Sequence, residues 1–527
     1  MKKRYIFSLL VAGATLMGSC TKNFEEINTN PDKTTGELIN PNYFISQSQI
    51  TFSQTGYDQL LFQAGWVQSL ASTFNYYGNG DKYIFASAGT GYFTYTWNRA
   101  YSALTLVNEM QDLIKDKPEY TNLNASGTIL RVLIMQRITD LYGDVPYSEA
   151  AMAKSGNFTP KFDKQQDIYA DMLKKLETAT AALDVSKAGP TADLFYGGDV
   201  AKWKRLGYSL MLKLAMRMTK VDAASARTWA EKAYAGGTMS GVADDAKVFA
   251  DASNSTSSNS DVIRTPDDFR ELRWGKTLID YMKSTSDPRI PAVAEISAGT
   301  GLAANNNQAA GNNTASLQQG LPNGYTITSI ANAPGYPGAT PADPAVSGDA
   351  PAPLGKYSRP RFQVYADRGS ANFIYTYGES ELLLAEAASR GWSTGVASTH
   401  YANALAANMR SLAGYNTTAA ATVSETAITT YVAAHPLVPA TALQQINTEY
   451  WVATSTTFDF NEAYANWRRS GFPVLTPVVY PGQYISGQIP RRMPYPTSLL
   501  QTNGANYQAA ATAIGGDNFA TRVWWDK

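Results

Sequence analysis

The chain is short of the residues that build most chemical centres. It has one cysteine and two histidines in 527 residues. A single cysteine makes no internal disulfide and no thiolate zinc site, and His400 and His435 alone make no histidine-rich metal centre. Charge is balanced, 44 Lys+Arg against 44 Asp+Glu. No basic excess exists to neutralise phosphates, so nucleic acid is not an expected partner. There is no Gly-x-Ser-x-Gly elbow, no His-Glu-x-x-His, no phosphate-binding loop and no Cys–His pair. No cofactor, and no catalytic or metal centre of these kinds, is therefore expected. A glycoside hydrolase needs only two carboxylates, which any chain of this size can place, so that class stays open on carboxylates alone. Hydrophobic residues make up 44% and charged ones 17%, the balance of a folded chain. Aromatics are abundant: 32 Tyr, 19 Phe and 10 Trp supply many flat apolar faces.

The N-terminal segment reads as an address. Lys2, Lys3 and Arg4 form a positive region, Tyr5–Met17 is apolar but too short to span a bilayer, and Gly18-Ser19-Cys20 closes it. We expect a signal peptide at 1–19 and an acylated Cys20, against the alternative of a buried free thiol. Two or more acyl chains anchor stably, at about 0.8 kcal/mol per buried methylene. Residues 20–40 are polar and poorly periodic and are expected to be a tether. No later apolar run is long enough to cross a membrane.

The body, 41–527, reads as mostly α. Apolar residues recur at helical spacing over about 43–74, at Trp97–Val107, Leu130–Tyr142, Ile168–Leu183 and Trp203–Met218, then near 375–390, 397–413, 440–455 and 459–470. Gly143 and Pro146 stop the third of these. Short polar links suggest stacked helix pairs. Strand signals are confined to 325–330 and 361–365. Ile296–Gly355 is built of Ala, Asn, Gly, Pro, Gln and Thr, with Asp343 and Asp349 its only charges. It does not build a core by itself, and reads as a surface insertion or a functional flap.

Arg131-Val-Leu-Ile-Met-Gln-Arg-Ile-Thr-Asp-Leu-Tyr-Gly-Asp-Val-Pro-Tyr147 resembles the helix and turn of the SusD/RagB family, nutrient-binding outer-membrane lipoproteins of Bacteroidota-type bacteria. Trp97-Asn-Arg-Ala-Tyr101 with Asn108, Trp203-Lys-Arg-Leu-Gly207 through Arg217, Asp287-Pro-Arg-Ile-Pro291 and Thr376–Ala387 resemble its further elements, in order. So do Ile489–Pro496, Gly515-Gly-Asp-Asn518 and Trp524-Trp-Asp526. The family's Arg-Arg-Thr-Gly-type turn stands here as Arg468-Arg-Ser-Gly471. The resemblance covers nearly the whole body. It implies a tetratricopeptide-like helix-pair layer, mainly 41–240 and 372–470, with an irregular loop-rich lobe, mainly 241–371 plus 471–527. It also implies capture of a glycan or peptide without catalysis, on the outer surface of the outer membrane, and delivery to a SusC-like TonB-dependent transporter.

Sugar capture needs ring faces for stacking and polar groups for hydroxyls. The Gly-broken cluster Phe74, Asn75, Tyr76, Tyr77, Asn79, Asp81 and Tyr83 offers both, or else its rings fold back and pad helix ends. Trp274, beside Arg270 and Arg273, is a second platform or a core residue. Tyr325 and Tyr336 are the aromatics of the long insertion. Asp144 reads as turn chemistry or a ligand contact. Glu379 and Glu386, on one helix face, read as solvated or Arg-paired rather than a catalytic pair. Arg468 and Arg469, beside Trp467, are expected to pair or stack within the fold. Low charge with abundant Tyr, Asn and Gln suits a neutral oligosaccharide and, a little less well, an extended peptide. A helical scaffold binding other proteins is the remaining class.

Overall fold

The computed structural model describes residues 39–54, 56–73, 78–84, 94–253, 258–264, 272–297, 310–338, 354–416 and 419–527. The chain divides into two units, Met1–Pro41 and Asn42–Lys527. The signal peptide, Cys20 and most of the tether lie outside the described residues, and the fold below is that of the second unit.

Its longer helices are α1 Asn42–Ser53, α2 Tyr95–Ile114, α3 Thr121–Tyr142, α4 Gln165–Ala182, α5 Val200–Arg217, α6 Ala223–Gly236, α7 Lys276–Ser284, α8 Tyr377–Ser389, α9 Ala397–Ser411, α10 Glu425–Ala434, α11 Ala442–Thr456, α12 Phe460–Ser470 and α13 Gly504–Ala513. They pack in sequence-adjacent pairs: α1 on α2, α3 on α4, α5 on α6, α8 on α9 and α11 on α12. α5 also meets α4 and α8, and α8 meets α11, which joins the pairs into one layer. Helices α6 and α10 are not announced by apolar spacing. α6 buries only alanines (Ala226, Ala230, Ala233), and α10 only Ile428 and Tyr431.

The stretch 43–74 is not one helical run. After α1 come two short turns, Gly56–Leu61 and Gln63–Trp66, and then strand β1, Leu70–Ser72. The other strands are β2 Ala246–Phe249, β3 Leu272–Trp274, β4 Ala294–Glu295, β5 Arg359–Pro360 and β6 Ala371–Tyr375. They form three two-stranded antiparallel ladders, β1–β3, β2–β6 and β4–β5. The strand signals at 325–330 and 361–365 do not hold. The first stretch is turn and 3-10 helix, and Phe362–Tyr365 is a helical turn.

Gly143 ends α3 with positive φ (85°) but with ψ at −122°, outside the left-handed helical region of the usual glycine cap. Asp144 does not cap its own turn. Its Oδ1 accepts from the Gln165 N–H (2.8 Å) at the start of α4, fixing the entry of the next helix. Burial raises this carboxyl's pKa, while that N–H and Arg492 lower it.

Charged side chains lie deep in the layer. Glu379 closes a capping box with Thr376 at the start of α8, and its Oε2 accepts from Lys213 Nζ and Tyr450 Oη, both at 3.0 Å. One turn-set along, Glu386 takes a bidentate pair from Arg469 Nη1 and Nη2, both at 2.7 Å. Both carboxylates are buried and ion-paired, so the solvated reading of that helix face is corrected. Arg217 joins Asp140 (3.1 Å) and Glu462. Arg468 stacks on Tyr464 and Trp525, at 4.0 and 4.8 Å, rather than on Trp467.

Candidate functional site

One loop-built face gathers several of the residues singled out above. Strand β1 pairs with β3 in the register Leu70↔Trp274, Ala71↔Arg273 and Ser72↔Leu272. Beyond Thr73 the chain reaches Phe74, Asn75, Tyr76 and Tyr77, which lie outside the described residues, as does the side chain of Asn79. It returns as the helical turn Gly78–Lys82. That turn lies against Gln63–Trp66 because neither backbone carries a Cβ at the crossing. A Cβ on Gly65 would sit 2.4 Å from Asp81 N, and one on Gly80 would sit 2.3 Å from Leu61 O.

Asp81 is a buried post between three segments. Its Oδ2 accepts from the Ser72 N–H (3.4 Å) and from Lys82 Nζ (3.0 Å), and its Oδ1 accepts from the Gly324 N–H (3.0 Å). Burial raises its pKa, and the ammonium of Lys82 opposes that. Lys82 Nζ also donates to Ser72 O (2.7 Å). Gly324, at φ 89°, is where the long insertion turns past this post.

Part of that insertion is well built. Its base continues the ladder: Leu321 N–H donates to Trp274 O (2.8 Å), and Trp274 N–H donates to Ser358 O (2.9 Å). Asn323 Nδ2 donates to Leu70 O (2.9 Å), and Ile327 N–H to Thr73 O (3.1 Å). Ala71, Leu321, Ile330, Ala333 and Tyr357 form a small core separate from the main one, with Tyr325, Ile327 and Tyr336 packed on it. The segment supplies Leu321, Ile330 and Ala333, and Ala71 and Tyr357 from outside it complete this core, in keeping with a segment that builds no core by itself. Tyr325 and Tyr336 are half-buried, each keeping part of its surface in solvent. Thr73 Oγ1, Asn323 Oδ1 and Tyr357 Oη in the same region are buried and have no hydrogen-bond partner.

For Tyr83 and Trp274 the structure removes the platform reading and leaves the packed one. Tyr83 is fully buried, its hydroxyl accepts from Val478 N–H (3.4 Å), and burial pushes its pKa up to about 12. Trp274 is also fully buried. Its Nε1 donates to Val293 O (2.9 Å), and its ring meets Tyr365 and Phe458 edge-on at 5.8 and 5.7 Å. Neither ring has a face left for a ligand. Of the expected residues, the structure brings together Asp81, Tyr325 and Tyr336. Beneath them it places the buried Thr73 and Tyr357 and the half-buried Asn323, residues that support this face and that no local sequence signal marks.

Among the described residues no group of three or more His, Cys, Asp or Glu is placed to hold a metal ion. None of their helices is long and apolar enough to cross a membrane. The chain belongs to the SusD-like family: the family model described as "Starch-binding associating with outer membrane" matches residues 29–496. No curated protein matches the chain. Among solved structures it is similar to a chitin-binding protein at 30% identity and a TM-score of 0.78, covering 93% of this chain and 100% of that one. A chitin-binding SusD homolog from Flavobacterium johnsoniae matches at 23% identity and TM-score 0.71, over 92% of this chain and 97% of that one. A SusD-like protein of Bacteroidetes AC2a matches at 22% and 0.77, over 93% and 100%. These confirm the mostly α, SusD-like fold.

Proposed function

We propose that the protein is an outer-membrane lipoprotein that binds a neutral oligosaccharide and hands it to a SusC-like TonB-dependent transporter, without turnover of its own. The observation that carries this reading is the face where half-buried Tyr325 and Tyr336 sit on a built flap. The full-length family match supports it, and the chitin-binding relative favours a glycan over a peptide. In this reading the helical layer, mainly 41–240 and 372–470, is the support, and the loop-rich remainder carries the ligand. Tyr76, Tyr77 and Asn79 belong to the same proposed site.

Tyr336→Ala and Tyr325→Ala should each weaken binding of a chitin oligosaccharide. A stacked ring contributes about 1–3 kcal/mol of apolar and contact energy, roughly a tenfold to hundredfold change in Kd. Calorimetry on the folded variants checks this. Unchanged affinity in both, beside binding by the wild type, removes the flap from the site. Products released from the oligosaccharide, and lost on changing one carboxylate, would favour a hydrolase instead.

The anchor is tested separately. With Cys20→Ala the protein should leave the membrane fraction for the soluble one. A Cys20→Ala protein that still sediments with membranes through a salt wash defeats the lipid anchor.

A further inference from the structure

The helical turn Gly78–Lys82 and the flap meet at one carboxylate. Asp81 is only 1% exposed, and Lys82 beside it is fully buried. Gly324 immediately precedes Tyr325, and its N–H is held by Asp81 Oδ1 at 3.0 Å. The other oxygen serves the opposite side, where the Ser72 N–H and the Lys82 ammonium share it. On either side of Gly324 the flap is tied by neutral bonds, Asn323 Nδ2 to Leu70 O and Ile327 N–H to Thr73 O. A bond to an ionised oxygen is stronger than these. The stretch 310–338 carries no charged side chain, so the ionic partner at this contact comes wholly from the turn. Val478 backs Gly324 closely, since a Cβ on that glycine would lie 2.5 Å from Val478 Cγ1. The backbone leading into Tyr325 is therefore held between a carboxylate and a packed valine.

We infer that Asp81 is a positioning residue of the ligand face: it fixes where the flap presents Tyr325 and touches no ligand itself. This rests on the glycan-binding reading above. A ring stacks on a sugar only where its face is held at contact distance, and a ring held there beforehand costs less to order on binding. A carboxylate suits the post because it has two oxygens to divide between donors on opposite sides. Asparagine has one. With that oxygen kept by the Lys82 ammonium, the amide N–H₂ faces the Gly324 N–H, donor against donor, and the flap loses its tie. Glutamate keeps a charge for Lys82 but is one methylene longer, so its second oxygen no longer sits where the Gly324 N–H points.

The test is calorimetry with a chitin hexasaccharide on wild type, Asp81→Asn, Asp81→Glu and Tyr325→Ala, and on each Asp81 variant combined with Tyr325→Ala. Circular dichroism checks the fold. We expect Kd to rise about tenfold in Asp81→Asn and in Asp81→Glu. In the Tyr325→Ala background the same substitutions should change Kd by less than about twofold, because the ring they position is gone. A merely structural role does not produce that dependence. Wild-type affinity in a folded Asp81 variant overturns the inference and leaves the glycan site standing. An equal loss with and without Tyr325 also overturns it, in favour of a direct ligand contact or a general support. Unfolding of both Asp81 variants overturns it too, since the residue then serves the whole fold. If wild type does not bind the hexasaccharide, the glycan reading fails. If Tyr325→Ala binds as tightly as wild type, that ring leaves the site. In either case the positioning role falls with it.

Discussion

Arg469→Met should destabilise the protein by about 3–5 kcal/mol, the range for breaking one partner out of a buried ion pair. The guanidinium is buried and uses nearly all its donors. Two go to Glu386, Nε donates to Asn466 Oδ1 (3.0 Å), and Nη2 also donates to Asn447 Oδ1 (2.7 Å). Burial pushes the Glu386 carboxyl up, but Arg469, helped by Arg390, outweighs this and holds its pKa at about 2. Methionine matches the length of the arginine stem and leaves Glu386 charged in the core, with only the half-exposed Arg390 to pair it. The loss is therefore mostly the penalty of a stranded charge. That makes a second expectation. Arg469→Met/Glu386→Gln should be more stable than Arg469→Met alone, because the stranded charge is gone. Urea unfolding of the four proteins checks both. A single variant within about 1 kcal/mol of wild type, or a double variant no better than the single, refutes this account of the core.

The same residues show what a sequence carries and what it does not. Spacing alone located α4, α5, α8, α9, α11 and α12 to within a few residues: α4 and α9 bury one stripe each, while α5, α8, α11 and α12 are buried nearly all round over much of their length. That Arg468 and Arg469 serve the fold also follows from their place beside Trp467 on a helix. Their partners do not, because Glu386 is 83 residues away and Trp525 lies at the far end of the chain. Tyr83 is the sharper case. A Gly-broken stretch of polar residues reads as an exposed loop, yet the segment from 471 onward closes over it, nearly four hundred residues along. For Trp274 the core alternative holds, with Tyr365 and Phe458 packed on its ring. Local composition predicts loops well, but burial of a loop is decided by whichever distant segment packs on it.

The stability of the protein should peak in mildly acidic solution and fall on both sides. Burial raises Asp58 to about 7, with the Thr96 N–H (2.5 Å) opposing it. Burial also raises Asp245 to about 7, against Ser411 and the Tyr377 N–H, and Asp459 to about 6, against Arg137. A carboxyl whose folded pKa exceeds its unfolded value near 4 holds its proton more tightly in the native state. Its contribution is complete below about pH 4 and is lost as pH rises through 6 to 7. Glu386 and Glu462 have the opposite sign. Burial pushes each up, but Arg469, or Arg217 with Lys213, outweighs it and leaves both at about 2. Their contribution is present above about pH 4.5 and is lost as pH falls toward 2. The two sets therefore cross near pH 4 to 5. Each shifted unit amounts to about 1.4 kcal/mol, so the decline from about pH 5 to 7.5 should reach a few kcal/mol. Asp58 is the clearest single source, because its Oδ1 has no hydrogen-bond partner and its charge gains nothing there. Asp58→Asn removes the titration while keeping an oxygen for the Thr96 N–H. It should flatten the upper slope and stabilise the protein at pH 7.5 while changing little at pH 4. Urea midpoints measured at intervals from pH 3 to 8 on both proteins decide the matter. A wild-type profile that rises steadily to pH 7.5, or an Asp58→Asn profile with the wild-type slope, would show that these carboxyls are not titrating in the buried state described.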